Sequence, residues 1–501
     1  MNMRMISVKS IKRPVGLLAA SLLAGCAVGP NFQQPAAPKG AGFTPGPLPA
    51  KTADAPGGAQ TFAQNTDIPG EWWTLFQSPA LDSLIKQAMQ ANPTIAAAQA
   101  SLRVARENVL AQDGAFFPSI GLDANASKNQ TSTGSLSPVA ANNKAFYSLY
   151  TGEVSVSYSP DVFGLNRRTT ESLAAQAENQ HYELEAAYLT LTSNVVTAAV
   201  QEAGCQAEIA AQQQTIQADS QLRDIIAHQF AVGEVAQAVL LQQEAVLAQA
   251  QQMLPPMQKQ LAMAQNALIA LEGGYPNQTL AQQFDLASIH LPQNLPVSLP
   301  SQLVAQRPDI LAAAANMHSA SAQIGVAIAN RLPQFPLTAA LGTSPAALAS
   351  AFTPYNQFFT VVSGMALPIF QGGTLLHRQR AANAQFQLAA AQYQETVIGA
   401  FQNVSDTLRA LQSDADALQA AAASDQLAGQ SLSIARTELQ AGSIDDVSVL
   451  NAEQIYQTAQ QALVQAEVTR LTDTAALFQA LGGGWWNRAD PQVPTTQVAA
   501  N

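Results

Sequence analysis

The chain has 501 residues, of which 11% are charged and 6% aromatic, and its formal net charge is −11. That balance excludes a nucleic-acid partner, which would need clustered Lys and Arg. Two cysteines exclude a disulfide scaffold, and no run of 18 apolar residues beyond the N-terminus offers a membrane-spanning helix.

The N-terminus reads as an address. Arg4, Lys9, Lys12 and Arg13 form a positive region, and Val15 to Leu23 is an apolar run too short to cross a bilayer. It ends in Leu23-Ala24-Gly25-Cys26, small residues before a lone cysteine, the pattern of a bacterial lipobox. Cleavage would remove a signal peptide, 1–25, with its four positive charges, taking the charge from −11 to −15. Cys26 would then carry an S-diacylglycerol and an N-acyl chain. Ala27 stands where an Asp would signal retention in the inner membrane, so the expected address is the outer membrane. Multiple acyl chains, at about 0.8 kcal/mol per buried CH₂, anchor stably. Residues 26–70, rich in Pro, Gly, Ala and Thr, predict an extended acylated tether that builds no core.

Beyond the tether the chain repeats itself. Asn92-Pro93 recurs as Arg307-Pro308, and Phe117-Pro118 as Leu332-Pro333, both 215 positions on. Pro160-Asp161-Val162-Phe163-Gly164 recurs as Pro368-Ile369-Phe370-Gln371-Gly372, Gly233 as Gly442, and Gly273-Gly274 as Gly482-Gly483. The landmarks keep their order, so two copies of one unit are expected, a first repeat over 71–300 and a second over 301–484.

Each unit opens with a helix, Pro93 to Ala115 and Pro308 to Asn330, with proline near the start, where its missing N–H costs nothing. A strand hairpin follows. Ser119 to Ala126 places Ile120, Leu122 and Ala124 on one face and Ser119, Gly121, Asp123 and Asn125 on the other. Glu153 to Ser159 alternates likewise, across a polar loop at 127–149. The second copy offers Leu337 to Gly342 and Phe359 to Leu367. Next comes a helix of about 62 residues, roughly 90 Å long, over Arg168 to Phe230 and again over Arg378 to Leu439. Gly233 and Gly442 reverse the chain into returning helices of about 38 residues. On these figures one long helix equals the returning and opening helices laid end to end. Pro255-Pro256 predicts a break or kink in the first returning helix.

Four strands cannot close a barrel, and open sheet edges are excluded from lipid. Three copies give twelve strands, whereas two give eight, whose interior side chains fill. The alternation turns apolar residues to lipid and Ser, Glu, Asp and Asn to a lumen. Gln, Ser, Asn and Ala on the helices suit the wall of a water-filled tube.

These residues resemble the outer-membrane factor family of TolC-like exit ducts, and within it the NodT-type lipoproteins of RND efflux systems. The matching pieces are Cys26 to Phe32 with Pro35, Trp72-Trp73-Thr74-Leu75-Phe76 with Pro79, Leu81 and Leu84, Asn92-Pro93, Phe117-Pro118, Pro160 to Gly164, Arg307-Pro308-Asp309-Ile310, and Pro368 to Gly373. The resemblance implies a mainly α fold with a transmembrane β-barrel: a homotrimer whose 12-stranded barrel, four strands per chain, is continuous with a long α-helical periplasmic barrel. It implies an equatorial collar from 71–91, 273–305 and 482–501, the last including an equatorial or disordered tail at 485–501. It implies two partners, a periplasmic adaptor (membrane fusion protein) and an inner-membrane RND pump. The adaptor-contact tips would be Val232 and Gly233 in one hairpin and Ala441, Gly442 and Ser443 in the other. The periplasmic gate candidates are Asp445 and Asp446, with Glu234 adding acidity at the first tip. Asp445 also reads as a plain cap of the returning helix.

No catalytic or phosphate-binding motif occurs. His181, His228, His290, His318 and His377 stand at no metal-ligand spacing and read as packing or surface residues, and Cys205 as a small buried helix residue. The expected protein is no enzyme, and has no cofactor or metal besides the lipid on Cys26. It is a passive exporter of drugs or other small toxic compounds. The alternatives are a structural periplasmic coiled-coil lipoprotein and an exit duct for type I protein secretion.

Overall fold

The computed structural model of the protein describes residues 27–36, 42–44, 46, 49–64, 66–130, 146–280 and 282–488. Cys26 and the signal segment lie outside them, as do 131–145 and the tail from 489. Along the described chain come β1 (Thr61–Gln64), α1 (Pro79–Ala91), α2 (Pro93–Asp113), β2 (Ser119–Gln130), β3 (Phe146–Tyr158), α3 (Leu165–Ala231) and α4 (Gln237–Leu271). The second half supplies β4 (Asn294–Val297), α5 (Pro300–Gln306), α6 (Pro308–Ala329), β5 (Leu337–Thr343), β6 (Gln357–Ser363), α7 (Thr374–Gln440) and α8 (Asp446–Ala480).

The two halves match element for element. Both long helices, α3 and α7, have 67 residues, and both returning helices, α4 and α8, have 35. The long helices thus exceed the sequence expectation and the returning ones fall short of it. With 21 residues in α2 and 22 in α6, the two shorter helices of each half fall about ten residues short of the long one. The expected equality of lengths does not hold. The β2–β3 hairpin also runs further than its alternation indicated, absorbing much of the expected loop.

The chain divides into two compact units, one of 1–34, 102–179 and 313–392, the other of 35–101, 180–312 and 393–501. In the first unit a four-stranded antiparallel sheet has the order β2-β3-β5-β6, leaving β2 and β6 as open edges. In the second, β1 pairs in parallel with β4. There α1 begins on Pro79 with Ser78 as its cap, and buries Leu81, Leu84, Ile85 and Ala88 at helical spacing. Trp72 is buried beside it and stacks on Phe478 at 5.2 Å.

The expected break at Pro255-Pro256 is absent, for α4 runs through both prolines. Their missing N–H groups would have served the carbonyls of Gln251 and Gln252, and all four residues are exposed. At such an exposed surface water can take the place of the lost bonds.

Described residues of the expected tether join the core, contrary to its composition. Phe62 and Ile68 are buried, and so are Thr52 and Gln60. Such a Pro- and Gly-rich segment has too few apolar residues to make a core of its own. It is held instead by bonds to helices far along the chain, described below.

Candidate functional site

The sheet sorts its residues by row. Ile120, Val156, Ala339 and Val361 lie side by side across all four strands, as do Leu122, Val154, Leu341 and Phe359. Ile120 and Leu122 are 75% and 79% exposed, so this apolar face has no cover among the described residues. The intervening rows are mostly small or polar, running Gly121, Ser155, Ala340, Thr360 and Asp123, Glu153, Gly342, Phe358, with Phe358 the apolar exception on β6. Period-two alternation therefore yields one face for hydrocarbon and one for water. Ser155 donates to Asp123 across the pair at 3.3 Å.

Both helix reversals use one backbone device. At the first tip Gly233 N–H donates to Phe230 O and Glu234 N–H to Gln229 O; at the second Gly442 N–H donates to Leu439 O and Ser443 N–H to Glu438 O. Gly233 and Gly442 stand at φ +83° and +69°, the left-handed conformation this helix ending demands. Val232, Gly233 and Glu234 are exposed, as are Ala441, Gly442 and Ser443. Asp445 caps α8, accepting from Ser448 N–H at 3.0 Å. Bonds from the Ser448 hydroxyl and amide hold its carboxyl below the ordinary value. The backbone of Asp446 opens α8, and its side chain lies outside the described atoms. Behind this tip Leu432, Ala435, Val449 and Ala452 pack α7 against α8.

Two buried arginines, neither singled out by the sequence, hold the N-terminal segment. In the first unit Arg168 Nε donates to Val28 O at 3.0 Å and an Arg168 amino group to Asn31 Oδ1 at 2.8 Å, while Glu171 pairs with the same guanidinium. Phe32 stacks on His318 at 4.5 Å. Gly29 crosses Gly325 so closely that a Cβ on Gly29 would lie 2.5 Å from the Gly325 Cα. In the second unit Arg470, 1% exposed, donates to Gly58 O at 2.8 Å, Pro56 O at 3.2 Å, and Gln60 Oε1 and Thr52 Oγ1 at 3.3 Å.

The repeat landmarks prove to be joints. Asn92 donates to Leu271 O at 2.8 Å, at the end of α4, and Arg307 donates to Ala480 O at 3.0 Å, at the end of α8. Each half closes its returning helix with the polar residue before its Pro. Cys205 is half-buried rather than buried; burial, then Glu208 and Glu202, raises its thiol pKa. Among the described residues no group of three or more His, Cys, Asp or Glu could hold a metal ion. Nor is any described helix long and apolar enough to cross a membrane.

Comparison with known proteins agrees with this arrangement. The outer membrane efflux protein model matches residues 84–274 and 299–483. The cation efflux system protein CusC of Escherichia coli O6:H1 is 28% identical over 473 residues, covering 93% of this chain and 97% of its own. The probable outer membrane lipoprotein SilC of Salmonella typhimurium is 28% identical over 477 residues, with the same coverage. Among solved structures, the CmeC outer membrane channel of Campylobacter jejuni superposes with a TM-score of 0.81 at 22% identity, over 93% of this chain and 96% of that one. The open MtrE channel of Neisseria gonorrhoeae gives 0.79 at 23% identity, over 93% and 100%. The chain belongs to the outer membrane efflux protein family, and it is an outer-membrane channel component of an efflux pump with the TolC-like fold.

Proposed function

We propose that three copies of this chain pool their strands into one 12-stranded barrel, anchored by lipid on Cys26. Through it drugs or other small toxic compounds leave passively, delivered by a periplasmic adaptor and an inner-membrane RND pump. The observation that carries this reading is the four-stranded sheet with two unpaired edges and an uncovered apolar face. Such edges are tolerated in lipid only when other strands complete them. The exposed tips around Val232-Gly233 and Ala441-Gly442-Ser443 are the surfaces for the adaptor. Glu234, Asp445 and Asp446, repeated around a three-fold axis, would gather like charges and favour cations at the mouth. Capping by Asp445 is compatible with that role, because a carboxylate bonded to Ser448 stays charged.

Purified protein in planar bilayers tests the reading. Stable conductance steps from a trimer are expected, and a monomer without conductance refutes it. Replacing both Asp445 and Asp446 by Ala should weaken cation preference; an unchanged preference removes them from the mouth. Cys26→Ser should abolish acylation and leave a trimer.

A further inference from the structure

Four helices of the second unit converge on one buried carboxyl. Asp219 of α3 is 0% exposed, and Glu453 of α8, 4% exposed, faces it within hydrogen-bonding contact. Arg436 of α7 donates to Glu453 Oε1 at 2.7 Å. Gln243 of α4 donates to the main-chain carbonyl of Asp219 at 3.3 Å and lies near enough to the carboxyl to oppose its shift. Among the described residues neither Asp219 carboxyl oxygen has a donor of sound geometry. On its own helix the nearest charges, Arg223 and Asp224, pair with each other at 3.0 Å. The charged groups acting on Asp219 from the helices packed against it are thus Glu453 and Arg436.

Two carboxylates in contact and out of water cannot both ionise. Arg436 supports the charge on Glu453, which leaves Asp219 as the partner to hold a proton and donate it. We infer that Asp219 and Glu453 share one proton, and that this proton clasps α3 of the first hairpin to α8 of the second, so that the hairpins part when it is lost. The chain Arg436 to Glu453 to protonated Asp219 then satisfies every charge with one mobile hydrogen. Removing it sets two anions against each other at a site no water reaches.

The clasp has a defined direction. Burial, then Glu453, pushes Asp219 up to about 7, while Arg436 and Gln243 oppose the shift. The contact is complete in acid and is lost as the pH rises through that value. A periplasm-facing helical assembly would thereby be tighter under acid conditions than under alkaline ones.

Hydrogen exchange on the full-length protein in nanodiscs, from pH 5 to 8.5 and corrected for chemical exchange, tests this without reference to transport. Protection in α3 near 219 and α8 near 453 should fall as the pH rises toward 7, by up to about tenfold per pH unit, and level off above it. Asp219→Asn keeps a donor at every pH and should hold protection level. Glu453→Gln removes the opposing charge and should also abolish the step, an independent check if the first variant folds poorly. A step that persists in both variants, or no step in the parent, overturns the clasp. So does protection restored at pH 8 by Ca²⁺ and removed by EDTA, which would put a metal ion where the proton is inferred.

Discussion

Asp123 stands directly opposite Glu153 in the β2–β3 ladder. Like charges so placed repel, and they occupy the small and polar face of the sheet rather than the apolar one. Glu153→Gln should relieve the repulsion, stabilising the hairpin by roughly 0.2–1 kcal/mol. It should also lower cation preference, read as a smaller reversal potential under a KCl gradient. A reversal potential equal to the parent's would place this pair outside the conducting path.

Arg168 is nearly buried and binds Val28, Gly29, Asn31 and Glu171 at once. Arg168→Met leaves two carbonyls and Asn31 Oδ1 without their donor and Glu171 with His318 alone, at a cost of about 3 kcal/mol. Residues 27–34 should then be cut by protease at concentrations that leave the parent intact. Equal resistance would show that the Gly29–Gly325 crossing and the Phe32–His318 stack suffice.

Thermal stability should fall as the pH rises from 5 to about 7 and level off above that. Burial, followed by the Asp473 carboxyl, pushes Asp414 up to about 7, as burial and Glu453 do for Asp219. Burial also raises Glu208, Glu272 and Asp425, and, with Asp425 nearby, Glu467. A folded acid with a raised pKa holds its proton where the unfolded chain has released it. Its contribution is therefore full below the ordinary carboxylate range and lost through the raised value. Calorimetry at constant ionic strength checks the slope, which should flatten when Asp219 and Asp414 are both replaced by Asn.

The two tip glycines offer a matched pair. A Cβ at Gly233 or Gly442 would meet nothing within 4 Å, so Gly→Ala at either position imposes backbone strain alone. Each should cost about 1–2 kcal/mol and raise amide exchange in the adjoining turn. A change at one tip only would indicate that the other reversal relaxes into another turn.

Much of this architecture was legible because it is written locally. Strand faces follow from alternation, and helix limits from Pro93, Pro308, Gly233 and Gly442, so those elements stand within a few residues of their expected places. What local pattern cannot convey is partnership across distance. Asn31 and Arg168 are 137 positions apart, Gln60 and Arg470 410, so the N-terminal segment read as free. Asp219 on an Ala- and Gln-rich helix looks like any solvated carboxylate until Glu453 faces it. Pro255-Pro256 does not break the helix for a different reason, since at an exposed surface water can take the place of the lost bonds.

The Arg470 contacts also set an order of manufacture. Thr52, Pro56, Gly58 and Gln60 leave the ribosome among the first segments, and the guanidinium that engages them emerges near the end of synthesis. These bonds are therefore among the last to form, whereas the β1–β4 pairing and the bond from Gln60 to Pro292 need only the chain to about residue 297.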